Sequence, residues 1–350
     1  MNAPAIDLRS DTITRPTAEM LKAMYDAETG DDVFAEDPAA VELQERCAAM
    51  FGHEAALYCP SGTMTNQIAI NVHVRPGDEV VCARKSHIYN YEGGGIARNS
   101  GASVRLIEGD NGRFLWTDVL PEINPSDSHY ARTSLVSVED TCNRGGGAVW
   151  DVENLKSIQS GCKKENLPLH LDGARVWNAV IARNENAVPM DQTWRDYGQI
   201  FDSISVCFSK GLGAPVGSVL IGSKSFIDES HRTRKVLGGG MRQIGGLASA
   251  CMHALDHELP RMREDHFHAQ ELALALKQVE CVASIEPVET NIVIFSLKEH
   301  VSAEQFVRWA EEQGIACFPF GGQKVRFVTH RDVKAEQIKR AGTLLKHATF

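Results

Sequence analysis

The sequence predicts an α/β fold, a mainly parallel central sheet sandwiched by helices, followed by a small C-terminal α+β domain. Three observations predict it. The segments EVVCAR (79–84), TSLVSVED (133–140), PLHLDGAR (168–175) and DSISVCFSK (202–210) are nearly continuously apolar up to their polar ends, the pattern of strands buried on both faces. Helical runs alternate with them, as parallel crossovers require. Near residue 244 the texture changes: a long helical stretch with Pro260 inside it leads to strands at 290–297 and in KVRFVTH, with helices between and after.

In chain order, residues 1–16 read as a polar, extended arm with turns at Ser10-Asp11-Thr12 and Arg15-Pro16. A helix is expected over 17–29, capped by Thr17, with Met20, Leu21, Met24 and Tyr25 as its apolar positions. An acidic turn, GDDVFAEDP (30–38), precedes a second helix at about 38–51. AALYCP then reads as a strand, Ser61-Gly62-Thr63 as a tight turn and MTNQIAINVHV as a helix. SHIYNYEGGG (86–95) reads as a loop carrying a histidine and aromatics, and 151–167 as a helix. The expected organisation is an arm (1–16), a large domain (17–245) and a small domain (246–350).

Composition excludes several classes of function. The net charge of −10, with no basic stripe, argues against nucleic acid and against an anionic membrane surface as partners. Nine cysteines stand singly with no CxxC pair, which suits the reduced thiols of a cytoplasmic protein. No run of 18 apolar residues and no apolar stretch at the N-terminus occurs, so neither a membrane span nor a signal peptide is expected. His253 and His257 stand four apart, but no HExxH surrounds them and no metal site is expected.

The chemistry gathers at strand ends, where ligands of open α/β sheets sit. Lys210 closes an apolar strand and is followed by Gly211, Gly213, Pro215 and Gly217. A lysine in such a setting loses hydration and becomes nucleophilic enough for Schiff-base chemistry. Asp172 ends another strand, with Arg175 one turn on. Ser61-Gly62-Thr63 opens a helix, whose free N–H groups and dipole favour an anion. A lysine to attach the ring, an aspartate to keep its nitrogen protonated and a turn for the phosphate are the parts that pyridoxal 5'-phosphate requires.

The chain resembles the low-specificity L-threonine aldolases, among the fold-type I pyridoxal phosphate enzymes of the aspartate aminotransferase-like superfamily. DLRSDTITRPT (7–17), GDDVFAEDP (30–38), PSGTMTNQ (60–67), SHIYNYE (86–92), HYARTSLVSVEDTCN (129–143), HLDGARVWNA (170–179), SKGLGAPVGS (209–218), RKVLGGGMRQ (234–243) and VRFVTH (325–330) carry the resemblance nearly end to end. It implies that Lys210 attaches the cofactor, Asp172 pairs its ring nitrogen, Gly62 and Thr63 hold its phosphate, and His87 stacks on its face. It implies that Ser10, Arg175 and Arg326 bind the substrate carboxylate, and that Lys235 and Arg242 approach the cofactor from a neighbouring subunit of a homodimer or homotetramer. The implied reaction cleaves L-threonine or L-allo-threonine to glycine and acetaldehyde. His87, His129 or a water held by them is the implied base for the β-hydroxyl. A β-eliminating lyase on the same scaffold is the alternative. The chain departs from the family's GDDVYGEDP and ENTHN at Phe34, Ala35, Asp140 and Cys142.

Overall fold

The computed structural model describes residues 6–183 and 192–350. Strand β1 (Ile6–Asp7) pairs in parallel with Ile315–Ala316. Ile6 and Leu8 are buried in the C-terminal core, so apolar side chains anchor the segment expected to be an arm. Residues 1–5 of that arm lie outside the described residues. Helix α1 (Ala18–Asp26) starts where Thr17 Oγ1 accepts the Met20 N–H. Met20 is buried and Met24 packs on the core, but Leu21 and Tyr25 are 50% and 90% exposed. They stand four apart, on one face of the helix, so the apolar stripe expected to be all inward is split. Helix α2 (Pro38–Phe51) has an Asp37 cap, proline in its first turn and Gly52 at φ 71° after its last.

Strand β2 (Ala55–Cys59) leads through Ser61 into α3 (Gly62–His73). After β3 (Glu79–Ala83), the segment expected to be a loop folds as two short helices, α4 (His87–Asn90) and α5 (Gly95–Ser100). Gly93 and Gly94, at φ 62° and 71°, make the turn between them, in a region where a Cβ would be strained. Then follow β4 (Ser103–Ile107), α6 (Trp116–Val119), β5 (Thr133–Glu139), α7 (Val152–Lys164), β6 (Leu169–Gly173), α8 (Val176–Arg183), α9 (Gln192–Gly198), β7 (Ser203–Cys207), β8 (Ser218–Gly222) and α10 (Lys224–Val236).

These strands form one sheet in the order β2-β8-β7-β6-β5-β3-β4. Only β8 runs against its neighbours. The connection 208–217 is too short for the crossover of a dozen or more residues that a parallel neighbour needs. All the other strands point their carboxyl ends to one edge. Loops after β2, β3, β5, β6 and β7 therefore meet there.

Helix α11 (Gly245–His253) continues as a wider helical turn over Ala254–Glu258, and α12 (Met262–Leu276) restarts after Pro260. Beyond it lie β9 (Val282–Ile285), β10 (Ile292–Leu297), α13 (Ala303–Glu312), β11 (Ile315–Ala316), β12 (Phe318–Pro319), β13 (Lys324–Val328) and α14 (Ala335–Leu345). A small antiparallel sheet has the order β12-β13-β10-β9. Side chains through Met262 pack in the large core and those from Ala269 onward in the small one. The division expected at residue 245 marks the start of α11, whereas the change of core comes within α12. Among the described residues no helix is long and apolar enough to cross a membrane.

Candidate active site

A cavity of about 300 Å³ opens at the carboxyl edge of the sheet, and Gly62, Thr63, His87, Asp172 and Lys210 all line it. They come from four different loops or strand ends, Gly62 and Thr63 sharing one. Gly62 and Thr63 begin α3, where Ser61 Oγ accepts the Met64 N–H at 3.2 Å. That cap leaves the first two amides of the helix aimed outward, with the positive end of the dipole. Lys210 follows β7 and is half-buried. Its backbone is pinned because its carbonyl accepts from Thr14 Oγ1 at 2.7 Å and from the Gly213 N–H at 2.8 Å. Among the described residues its amine makes no salt bridge. A larger cleft of about 840 Å³ around Arg113 and Trp150 has no lysine, histidine or cysteine in its lining.

Negative charge is concentrated behind this cavity. Asp172 accepts from Asn66 Nδ2 at 3.0 Å and from the Ala174 N–H at 3.2 Å. Its register partner on β5 is Glu139. Glu139 accepts the His87 N–H at 2.8 Å and the Asn143 N–H at 2.9 Å, so one carboxylate ties two functional loops together. Burial, and then the charge of Asp172, raise the Glu139 carboxyl to about 7. Glu92 is a third buried carboxylate, held by Asn66 Nδ2 at 2.9 Å and Gln67 Nε2 at 2.6 Å. His87 Nδ1 lies 3.0 Å from Glu92 Oε1. Burial would lower the His87 pKa, but the Glu92 bond and the charges of Asp172 and Glu139 outweigh it, and the net shift is upward. His87, Glu92 and Asp172 bring their polar atoms within 4.8 Å of one another. A cationic ring nitrogen would neutralise such a cluster.

The two arginines differ. Arg175 is committed: Nε and NH2 form a bidentate pair with Asp11 at 2.8 and 2.6 Å, and both residues are buried. Burial would raise the Asp11 carboxyl, but the Arg175 guanidinium reverses this and holds it well below the usual carboxylate range. Arg175 thus has its fork on Asp11 and not facing an open site. Arg326 donates to Asn143 Oδ1 at 2.8 Å and to the Arg9 carbonyl at 3.1 Å, and its Nε is buried with no partner. Burial, then the Arg175 charge, lower its pKa to about 10. An arginine that retains a costly unpaired charge is suited to receive a carboxylate. Ser10 caps the adjacent turn, accepting from the Thr12 N–H at 3.3 Å.

Other expected site residues do not meet the cavity within this chain. His129 is on the loop before β5, largely exposed, with Nδ1 2.7 Å from Asp127. It enters the strand at the end opposite Glu139, and seven residues of strand span roughly 20 Å. Lys235 ends α10, and Arg242 is an exposed partner of Asp31 at 2.9 Å. Phe34 is exposed and Ala35 sits at φ 56°. Asp140 is fully buried, paired with Arg183 and accepting from Tyr197 Oη at 2.7 Å. Cys142 is buried, and a Cβ added at Gly112 would lie 2.3 Å from its Sγ. These last two departures fill the interior beside the site. His253 and His257 rings lie 4.4 Å apart.

Sequence reasoning missed Asn66, Glu92, Glu139 and Asp11 as site residues. Asn66 and Glu92 lie inside the PSGTMTNQ and SHIYNYE motifs, three residues after Thr63 and five after His87, and their signal was a polar or acidic residue close in sequence to a functional one. Glu139 read equally well as an ordinary strand-end acid.

The chain is similar to known proteins over most of its length. The beta-eliminating lyase family model matches residues 7–300. The chain is 39% identical over 342 residues to low-specificity L-threonine aldolase 1 of Arabidopsis thaliana, covering 95% of this chain and 93% of that protein. It is 39% identical over 336 residues to the low specificity L-threonine aldolase of Escherichia coli (strain K12), covering 95% and 96%. The solved structure of Leishmania major threonine aldolase has the same fold, with a TM-score of 0.83 at 18% identity over 97% of this chain and 98% of that one. The chain therefore belongs to the beta-eliminating lyase family, and within it to the low-specificity L-threonine aldolases.

Proposed function

We propose that this protein cleaves L-threonine and L-allo-threonine to glycine and acetaldehyde with pyridoxal 5'-phosphate as its cofactor. The observation that carries the reading is the convergence of Lys210, Asp172, His87 and the start of α3 on one small cavity. The donor set fits the cofactor. The open amides of Gly62 and Thr63 suit its phosphate, the Asp172 carboxylate suits its ring nitrogen, and the uncommitted Lys210 amine suits its aldehyde carbon. When bound, pyridoxal phosphate supplies an electron sink for the carbon–carbon bond that breaks.

The residues of the chain do the rest. Lys210 would hold the cofactor through its amine, the position that the substrate amine would take over. Arg326, beside Arg175 and Ser10, would hold the substrate carboxylate and so orient the bonds at Cα. His87, which lines the cavity, would pack against the cofactor ring. With Nδ1 on Glu92, its Nε2 keeps a lone pair and takes the proton from the β-hydroxyl directly or through one water. The surrounding carboxylates stabilise the imidazolium that results, as an aspartate does for a catalytic histidine. His129 stands outside its own chain's cavity, so within one chain the base is His87 or a water that it holds.

We further propose a homodimer or homotetramer in which Lys235 and Arg242 serve the neighbouring copy. In support, both stand outside their own cavity. They adjoin a surface where Phe34 and Val236 are 68% and 84% exposed, an apolar patch suited to self-association. Nine free cysteines suit a cytoplasmic setting.

The test is a substrate assay with L-threonine. Acetaldehyde and glycine in equal amounts are expected, whereas 2-oxobutyrate and ammonia without aldehyde would establish the β-eliminating alternative that the family name allows. Holoprotein should be yellow and bleach with borohydride, and Lys210→Ala should do neither.

A further inference from the structure

Behind Asp172 runs a continuous chain of polar side chains with no assigned role, all buried except the half-buried His73. His73 Nε2 lies 2.8 Å from Ser203 Oγ, and Ser203 Oγ lies 2.9 Å from His170 Nδ1. His170 Nε2 lies 3.2 Å from Asn66 Oδ1, and Asn66 Nδ2 donates to Asp172 Oδ2 at 3.0 Å and to Glu92 Oε1 at 2.9 Å. The fold aligns these groups. His170 and Asp172 are two apart on β6 and share a face, Ser203 is the register partner of His170 on β7, and Asn66 and His73 lie two turns apart on α3 above them.

The direction of each bond follows by elimination. Asn66 faces two carboxylates, which can only accept, so its Nδ2 must point at them and its Oδ1 at His170. His170 Nε2 therefore carries a hydrogen. His170 is fully buried, and burial holds its imidazole neutral, its pKa lowered to about 3. Its Nδ1 is then a bare acceptor, Ser203 donates its hydroxyl to it, and His73 Nε2–H donates to Ser203. Every donor points toward the Asn66 amide and, through it, toward Asp172 and Glu92.

The direction matters because Asp172 has two other buried carboxylates around it, Glu139 on β5 and Glu92 across Asn66. Like charges this close cannot all stay ionised at no cost. The aligned donors end on Asp172 and, through the same Asn66 amide, on Glu92, but not on Glu139, so they favour the charged form of Asp172 against the Glu139 beside it, and polarised chains strengthen each bond in turn. We propose that the chain His73–Ser203–His170–Asn66 keeps Asp172 ionised and aimed, which makes His170 a positioning residue for the cofactor's ring nitrogen. This rests on the reading of Asp172 as the ring-nitrogen partner.

The experiment compares wild type, His170→Leu and Ser203→Ala, each reconstituted with pyridoxal phosphate and with its 1-deaza analogue, whose ring nitrogen is replaced by C–H. Wild type should bind pyridoxal phosphate more tightly than the analogue. In His170→Leu that ratio of dissociation constants should fall by roughly ten- to a hundredfold, the range for loss of an outer orienting partner, and by less in Ser203→Ala. The nitrogen-15 shift of cofactor labelled at the ring nitrogen should move toward the unprotonated value in the same order. A purely structural role lowers affinity for both cofactors alike, so an unchanged ratio and shift in a folded His170→Leu overturns the proposal. If His170→Leu does not fold, an unchanged ratio and shift in Ser203→Ala does so. Wild type that takes up neither cofactor overturns the functional reading itself. Wild type that binds both equally overturns the role of Asp172 and leaves the Lys210 attachment standing.

Discussion

Buried charge decides the outcome of single substitutions near the site. Asp11 and Arg175 form a bidentate pair that is out of water on both sides. Asp11→Asn keeps the shape and strands the guanidinium, which should cost about 3–5 kcal/mol, the range for an uncompensated buried charge. Urea unfolding of apoprotein reads this directly, and a midpoint equal to wild type would show that the pair is not a structural anchor. Arg326 is the converse case, a buried arginine whose hydrogen-bond partners among the described residues are an amide and a carbonyl and not a carboxylate. Arg326→Lys loses the planar fork and retains the charge. Losing a charged hydrogen bond of about 1.5–3 kcal/mol should raise KM for threonine roughly 10- to 150-fold, with the visible spectrum of the bound cofactor unchanged. A KM within twofold of wild type would remove Arg326 from the carboxylate site.

At the scale of elements, two turns are informative. Asp37 caps α2 by accepting the Ala40 N–H at 3.2 Å, and its other oxygen accepts from Ile244 and Gly245 at 3.1 and 2.8 Å. One buried side chain thus fixes the start of α2 against the start of α11. Asp37→Ala should cost about 2–4 kcal/mol, a lost cap plus unsatisfied amides, measured by thermal or urea unfolding. A loss under about 1 kcal/mol would mean that water replaces those bonds. Ala35 occupies the left-handed region at φ 56°, where the resembled family carries glycine. A Cβ in that region costs about 1–2 kcal/mol. Ala35→Gly should therefore stabilise the protein by about 1 kcal/mol, and a destabilised variant would point to compensating contacts made by the methyl group.

For the whole molecule, the buried imidazoles set the response to acid. Burial lowers His73 to about 4 and His170 to about 3, both from 6.5. Their folded values lie below the unfolded ones. The stability they contribute is complete above pH 6.5 and is lost as pH falls toward 4 for His73 and toward 3 for His170, because the unfolded chain takes up protons that the native state refuses. Glu139 opposes this. Its folded pKa is raised above the unfolded value, so its contribution is present at low pH and is lost as pH rises toward 7. His73 stacks on Phe226 with ring centroids 4.7 Å apart. His73→Phe would keep an aromatic ring there and remove one titration. Between about pH 4.5 and 6 its stability should depend on pH less steeply than wild type, by about 1.4 kcal/mol per pH unit. Equal slopes would show that His73 titrates alike in both states.

The sequence alone carried the chemistry and the architecture. Apolar runs ending in Asp172 and Lys210, and a small turn opening α3, were enough to expect a parallel sheet with a cofactor site at its carboxyl edge. Strand burial and local turn chemistry are short-range properties that periodicity records. The polar α10 gave no such apolar stripe, and α8, buried all round, gave no amphipathic one; neither was assigned. Tertiary structure decided the partners. Only the packed fold shows that Arg175 is spent on Asp11, that Arg326 is the unpaired charge, and that His129 enters β5 from the far end. The carboxylates of Asp172, Glu139 and Glu92 meet although up to 80 residues separate them (172 − 92). Contacts between residues this far apart in the chain follow from how strands are ordered in the sheet. That order is set by the packing of the whole core and is written in no local stretch of sequence.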